Sequence, residues 1–399
     1  MPSKKPLVVF ITSFSIILGS VAFTTPLLAA SSEKILYSFC PGSTCVGGAE
    51  PAAGVIFDKV GNLHGTAAGG GAYQNGAVFE LTPKHGQWTE KVLHTFTGGK
   101  DGGTPNAGLM FDAAGNLYGT TVEGGSCNVG AVFELIPNHG KWTEKVLHSF
   151  NCNGTDGIKP EAGLIFDAAG NLYGTTLLDA TNSAGTVFEL LPSRSKWAEK
   201  VLHRFSTKDK NGYWPSASLI LDKAGNLYGT TAVGGSTGCF GHGCGTVFEL
   251  ILNQGKWTEK VLHTFVPDGK DGRQPVASLI FEPAGNLYGT TSNGGTYRDI
   301  GTVFELTPTA DGIWTEKVIH SFGNGNDGAL PVAALAQDAA GNLYGTTAQG
   351  GTFSQQCYPS GCGTVFELVH KDGIWAEKVL HAFNSSDGSA GGWPYFRPG

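Results

Sequence analysis

Glutamate and histidine recur together six times, as Glu90/His94, Glu144/His148, Glu199/His203, Glu259/His263, Glu316/His320 and Glu377/His381, within segments such as WTEKVLHSF at 142–150. Such pairs suit acid–base work. A reaction centre, however, needs one asymmetric constellation of nucleophile, base and orienting group, and six equivalent copies do not supply it. A second glutamate recurs as Glu80, Glu134, Glu189, Glu249, Glu305 and Glu367. Both sets read as framework, with Glu, His and Trp satisfying one another between strands, because half-buried polar groups need partners.

Acids also recur in D-G-x-x-P segments: Asp101, Asp156, Asp271 and Asp327, with Asn211 as a variant and Gly47 where the first copy departs. Asp-Gly is ordinary turn chemistry. The alternative is a ring of carboxylates at a channel mouth, which calcium favours because it takes six to eight oxygen ligands. Calcium is therefore the one cofactor the sequence suggests.

Eight cysteines form three pairs of one spacing, Cys40/Cys45, Cys239/Cys244 and Cys357/Cys362, and leave Cys127 and Cys152. Zinc is a weak reading, since the segment 239–244 offers only Cys239, His242 and Cys244, and a structural zinc wants four ligands. Disulfide staples of small loops fit better in an exported chain. Non-repeated residues are where specificity would live: Tyr213, Trp214, Phe240, His242, Tyr297, Arg298 and Tyr358 are candidates for stacking on a sugar or anchoring a protein. A G-x-S-x-G string occurs at 234–238 but no helical period follows it, as a nucleophile elbow needs, and the chain has no H-E-x-x-H and no phosphate loop.

The elements that must position these residues follow from a repeat. The string GNL(Y/H)GT begins at Gly61, Gly115, Gly170, Gly225, Gly285 and Gly341. Between these anchors four apolar segments recur; in the second module they are 107–112, 116–121, 131–136 and 142–150. They are short, rich in β-branched and aromatic residues and bounded by Gly, Pro, Asp or Asn, which predicts strands. Four antiparallel strands per module around an axis make a β-propeller blade, preferred over a linear stack because closure hides strand edges. We denote the strands a to d from axis to rim. The modules span about 51–96, 105–150, 160–205, 215–265, 275–322 and 331–383 within one domain, 31–399. A lone d-like segment, 33–39, precedes them. It predicts an all-β, seven-bladed design with an incomplete last blade, a closed six-bladed ring being the alternative. The d-to-a and b-to-c loops share one face, which carries every cysteine.

Lys4 and Lys5, an apolar run and small residues at Ala29 and Ala30 predict a cleaved signal peptide, 1–30, and a secreted, periplasmic or cell-surface protein without a transmembrane segment in the mature chain. Glycine at 61 residues without a three-residue period excludes collagen, and 40% hydrophobic residues exclude disorder. A net charge of −7 without a basic cluster past the N-terminus argues against nucleic acid. The expected state is a monomer.

The motifs GNLYGTTxxGG (115–125), GTVFEL (245–250) and WTEKVLHSF (142–150) resemble those of the GloVer tandem-repeat family, the "choice-of-anchor" exported repeat proteins, from Glu33 to Trp393. The resemblance implies an extracytoplasmic repeat protein of unknown activity. Three functions remain open: a non-catalytic binding or scaffold module for an extracellular glycan or protein, a polysaccharide lyase or hydrolase at the channel mouth, and a structural envelope repeat. Fold alone does not choose among them.

Overall fold

The computed structural model describes residues 6–8, 33–40, 44–193, 196–324, 326–351 and 360–384; most of the expected signal peptide, together with Cys357 and Tyr358, lies outside the described residues. Every regular element among the described residues is a strand. Six four-stranded antiparallel sheets follow in chain order at 56–95, 110–149, 165–204, 220–264, 280–321 and 336–382, which we call blades 1 to 6. In blade 2, strand a is Met110–Phe111, b is Leu117–Thr121, c is Ala131–Asn138 and d is Lys141–Ser149. The chain is thus a propeller of simple meanders, as its periodicity predicts.

The middle glycine of L-Y-G-T-T explains why the repeat is so strict. Gly119 in strand b faces Phe133 in strand c. A β-carbon at Gly119 would lie 2.6 Å from the tip of the Phe133 ring and 3.0 Å from Leu109. The absent side chain is the space the ring occupies. Its edge then receives the phenylalanine that ends the preceding blade: Phe96 meets Phe133 at 5.1 Å between centroids, Phe150 meets Phe188 at 5.2 Å, and Phe205 meets Phe248 at 5.2 Å. These are edge-on contacts of the favoured kind. The hydrophobic cores accordingly lie between blades; one joins Tyr118, Val132, Leu147 and Phe150 of blade 2 to Leu164, Leu172, Phe188 and Leu190 of blade 3. A hydroxyl crosses the same seam, Thr120 Oγ1 donating to the Ala162 carbonyl at 2.9 Å.

A bulge in strand d sets up the rim. Pairing with strand c skips Leu147 between Val146 and His148, and the same skip precedes His94, His203, His263, His320 and His381. The extra residue buries Leu147 in the seam and re-aims the histidine after it.

The N-terminal strand Ile35–Ser38 pairs with Pro6–Val8 and joins no four-stranded sheet. It lies beside strand d of blade 1, and Phe39 packs on Phe79 at 4.7 Å. This strand therefore takes the rim position ahead of blade 1, as the seven-bladed reading requires. The flanks of the arc are less covered: Phe57 in strand a of blade 1 is 52% exposed, whereas its counterpart Phe111 packs edge-on against His64. No described helix is long and apolar enough to cross a membrane.

Replacing Phe188 by Ala should cost about 3–5 kcal/mol, as a large ring is deleted from a closed seam. Gly174→Ala should cost about 1–3 kcal/mol through overpacking against the same ring. Lys256→Ala, at an exposed position at the start of strand d in blade 4, should stay within about 0.5 kcal/mol. Urea denaturation of the three variants checks the ranking, and a neutral Gly174→Ala would contradict the account of the seam.

Candidate functional site

The face bearing the a-to-b turns is built from repeated residues that bond within their own blade, except that His64 Nδ1 in blade 1 and Glu282 Oε2 in blade 5 are buried without a partner. In blade 2, Asp112 accepts from the Asn116 backbone and amide at 2.8 Å each, and the Tyr118 hydroxyl donates to Glu134 at 2.8 Å. Blades 3, 4 and 6 repeat the tyrosine–glutamate bond at 2.9, 2.7 and 2.9 Å. Lys145 sits 3.6 Å from Glu134. Burial and the adjacent carboxylate push the Tyr118 hydroxyl above its ordinary range, so it stays a donor. The strand-c glutamates therefore serve the framework, as expected.

The strand-d glutamates behave differently. On the long-loop face four of the d-strand histidines meet the acid of the following D-G-x-x-P loop: His94 and Asp101 at 3.5 Å, His148 and Asp156 at 2.9 Å, His263 and Asp271 at 3.2 Å, His320 and Asp327 at 3.4 Å. His203, followed by Asn211, lies 3.5 Å from Glu259 instead. These four aspartates thus lie against the outer strands, where they also cap loop amides; Asp271 accepts from Val266 N at 2.9 Å. The d-strand glutamate of the next blade closes on the same spot. Its Oε1 is buried without a hydrogen-bond partner at Glu90, Glu144, Glu199, Glu259, Glu316 and Glu377. Mutual satisfaction among Glu, His and Trp, expected from sequence, therefore fails at this position. At four junctions the loop aspartate takes the histidine, and at all six no donor reaches this oxygen. Burial raises all six carboxyls, those of Glu144, Glu199, Glu259, Glu316 and Glu377 up to about 7.

The non-repeated candidates separate into two groups. Tyr213 is buried, its hydroxyl 3.4 Å from the His242 ring, and Trp214 donates its indole N–H to the Ser183 carbonyl at 2.8 Å. Both hold the loops in place. Phe240, by contrast, is 90% exposed at the tip of a loop closed by the Cys239–Cys244 disulfide. The Arg273 guanidinium lies 5.4 Å from the centre of its ring, a cation–π contact, and Arg273 Nε donates to Asp299 at 2.7 Å. His242, Tyr297 and Arg298 are exposed on the same pair of loops. Tyr297 also lines a cavity of about 960 Å³ that runs along blades 4 to 6 with Glu316, His320 and Glu377. Sequence did not single out Arg273, since Lys159 puts a basic residue in another D-G-x-x-P segment, and only its place over Phe240 reveals a role.

Cys40–Cys45 and Cys127–Cys152 are also bonded, and Cys362 is bonded as well, its expected partner Cys357 being outside the described residues. The described residues hold no free cysteine.

A family model described as the Gloeobacter/Verrucomicrobia repeat matches residues 19–239, 145–357 and 237–395. No curated protein matches the chain. Among solved structures, a protein assigned as a 6-phosphogluconolactonase from Bacteroides uniformis ATCC 8492 superposes with a TM-score of 0.51 at 14% identity, over 82% of this chain and 83% of the other. A protein from Lactobacillus plantarum gives 0.51 at 13%, over 82% and 83%. An ulvan lyase of a new polysaccharide lyase family gives 0.52 at 11%, over 83% of each chain. At these identities the likeness is one of fold.

The raised glutamates give the stability a pH dependence of known sign. A carboxyl whose folded value of about 7 exceeds its unfolded value binds its proton more tightly when folded, so stability grows as pH falls through 7 and is lost as pH rises. Above about pH 6.5 histidine protonation adds little opposing effect. Chelator-treated protein should therefore melt at higher temperature at pH 6.5 than at pH 8, and Glu144→Gln should flatten that slope and raise the melting point at pH 8. A melting temperature that climbs between pH 6.5 and 8 would contradict this.

Proposed function

The chain belongs to the Gloeobacter/Verrucomicrobia repeat family, and from that premise we propose that it is a secreted or cell-surface propeller that binds an extracellular glycan without catalysing its turnover. The observation that carries the reading is Phe240, an apolar ring held open to solvent on a disulfide-closed loop with Arg273 over its face. An exposed large aromatic costs solubility unless it meets something, and this one has charged and hydrogen-bonding groups around it: the Arg273–Asp299 pair, His242 and Arg298. A ring flanked by a fixed guanidinium–carboxylate pair matches a sugar, whose C–H face stacks and whose hydroxyls bridge both charges. The disulfides support an oxidising compartment, and the expected signal peptide is the route there. A protein partner anchored by the same ring is the neighbouring possibility within the binding class.

One feature favours the enzyme reading instead: the cavity beside this patch gathers His263, His320, Glu316 and Tyr297, groups suited to proton transfer. The two readings separate in one experiment. A glycan array probed with the full exported chain should give a ligand; Phe240→Ala and Arg273→Ala should each weaken binding at least tenfold without moving the melting temperature. New reducing ends or unsaturated products from that glycan would replace binding with catalysis. Unchanged binding in both variants would overturn the assignment of the patch.

A further inference from the structure

The junction between blades 4 and 5 brings together three ligand groups from three separate places. His263 comes from strand d of blade 4, Asp271 from the loop that follows, and Glu316 from strand d of blade 5, and one donor atom from each lies within 4.8 Å of the others. The Asp271 side chain is only 7% exposed. Glu316 Oε1 is buried with no partner, and no described residue donates a hydrogen bond to this carboxylate. Two carboxylates thus share one wall of a cavity with one imidazole. Lys270 and Lys317 line the same cavity without forming an ion pair with either acid.

The chain carries its own comparison. Where the loop acid is replaced by Asn211, that amide donates to Glu259 at 2.8 Å. Where it is replaced by Gly47, the histidine is replaced too, and the Tyr37 hydroxyl donates to Glu90 at 2.8 Å. A neutral donor therefore reaches Oε2 of the glutamate wherever the loop acid is missing, although Oε1 is unpartnered there too. Where both acids are present no described group donates to Glu316, and its carboxylate lies beside that of Asp271, which His263 and backbone amides already offset. Crowding a second, unpartnered carboxylate there is expensive. A cation at that point removes the cost.

We propose that His263, Asp271 and Glu316 bind a divalent transition-metal ion of the zinc class, cross-linking the rims of blades 4 and 5. An imidazole nitrogen with two carboxylates is a ligand set for zinc or its neighbours, and three protein ligands leave a position for water. Calcium would want six to eight oxygens, more than the three protein groups gathered here provide. The cavity of about 960 Å³ gives the ion a way in. His320, Asp327 and Glu377 line the same cavity at the next junction, but their donor atoms do not gather as closely, so the site belongs to the junction of blades 4 and 5.

The test uses the untagged full exported chain, stripped with a chelator and titrated with zinc chloride while bound metal is counted by mass spectrometry. Zinc should bind at micromolar or tighter affinity and raise the melting temperature. Glu316→Gln should lose one equivalent, and Glu259→Gln, at the Asn211 junction, should lose none. Cobalt substituted for zinc should give visible absorption that falls in Glu316→Gln. Should that variant fail to fold, Asp271→Asn should show the same loss. Absence of zinc binding, an unchanged equivalent count in the folded variant, or calcium binding in place of zinc would each overturn the proposal and leave a proton shared between the two acids as the account of the junction.

Discussion

The structure depends on one contact made over and over: the phenylalanine at the end of an outer strand set edge-on against the phenylalanine of the next blade, above a glycine that leaves room for it. A single blade cannot bury that ring, because half of the pocket belongs to its neighbour. Six fully buried strand-c phenylalanines, Phe79, Phe133, Phe188, Phe248, Phe304 and Phe366, therefore tie the blades into a sequence of mutual dependences. The strictness of the repeat is a steric consequence. Any residue with a β-carbon at Gly119 or its equivalents meets the facing ring, and any smaller residue than Phe leaves a void between blades.

With the seam fixed, the two faces of the propeller inherit different freedoms. On the short-turn face the Asp, Asn, Tyr and Glu of blades 2, 3, 4 and 6 complete one another within the blade, and the unpartnered buried atoms there belong to His64 and Glu282, the two departures from the repeat. The long-loop face is built where blades meet, and its polar groups must be matched across a boundary. There the matching is incomplete: histidine and aspartate pair, and the incoming glutamate does not. Departures from the repeat cluster on the same face. The loop closed by Cys239–Cys244 holds Phe240 out, and Arg273 and Asp299 arrive from blade 5 to flank it.

Much of this was legible from residues alone. The recurrence of GNLYGT, the alternation of short apolar segments with Gly and Asp turns, and the lone segment at 33–39 gave the blades, their order and the extra outer strand. Strand identity is a local property, so sequence carries it well. The roles of the repeated acids were not legible in the same way. Glu134 and Glu144 look equally repetitive in sequence, yet the first is bonded to Tyr118 in its own blade while the second points at Asp101 across a seam. Only the bulge at Leu147 and its counterparts, which one-residue spacing does not announce, decides where the histidine and glutamate side chains go. The candidate ligand residues divided for a similar reason: Tyr213 and Phe240 are both aromatic loop residues, but one is tucked under a loop and the other is carried outward by it.

Amide hydrogen exchange followed by mass spectrometry measures the seam most directly. If the edge-on phenylalanines bind the blades into one body, strands b and c of blades 2 to 5 should share a single high opening free energy, and removing one ring should lower it in both flanking blades together. Exchange that proceeds blade by blade, each with its own opening energy and indifferent to a ring deleted next door, would contradict the account.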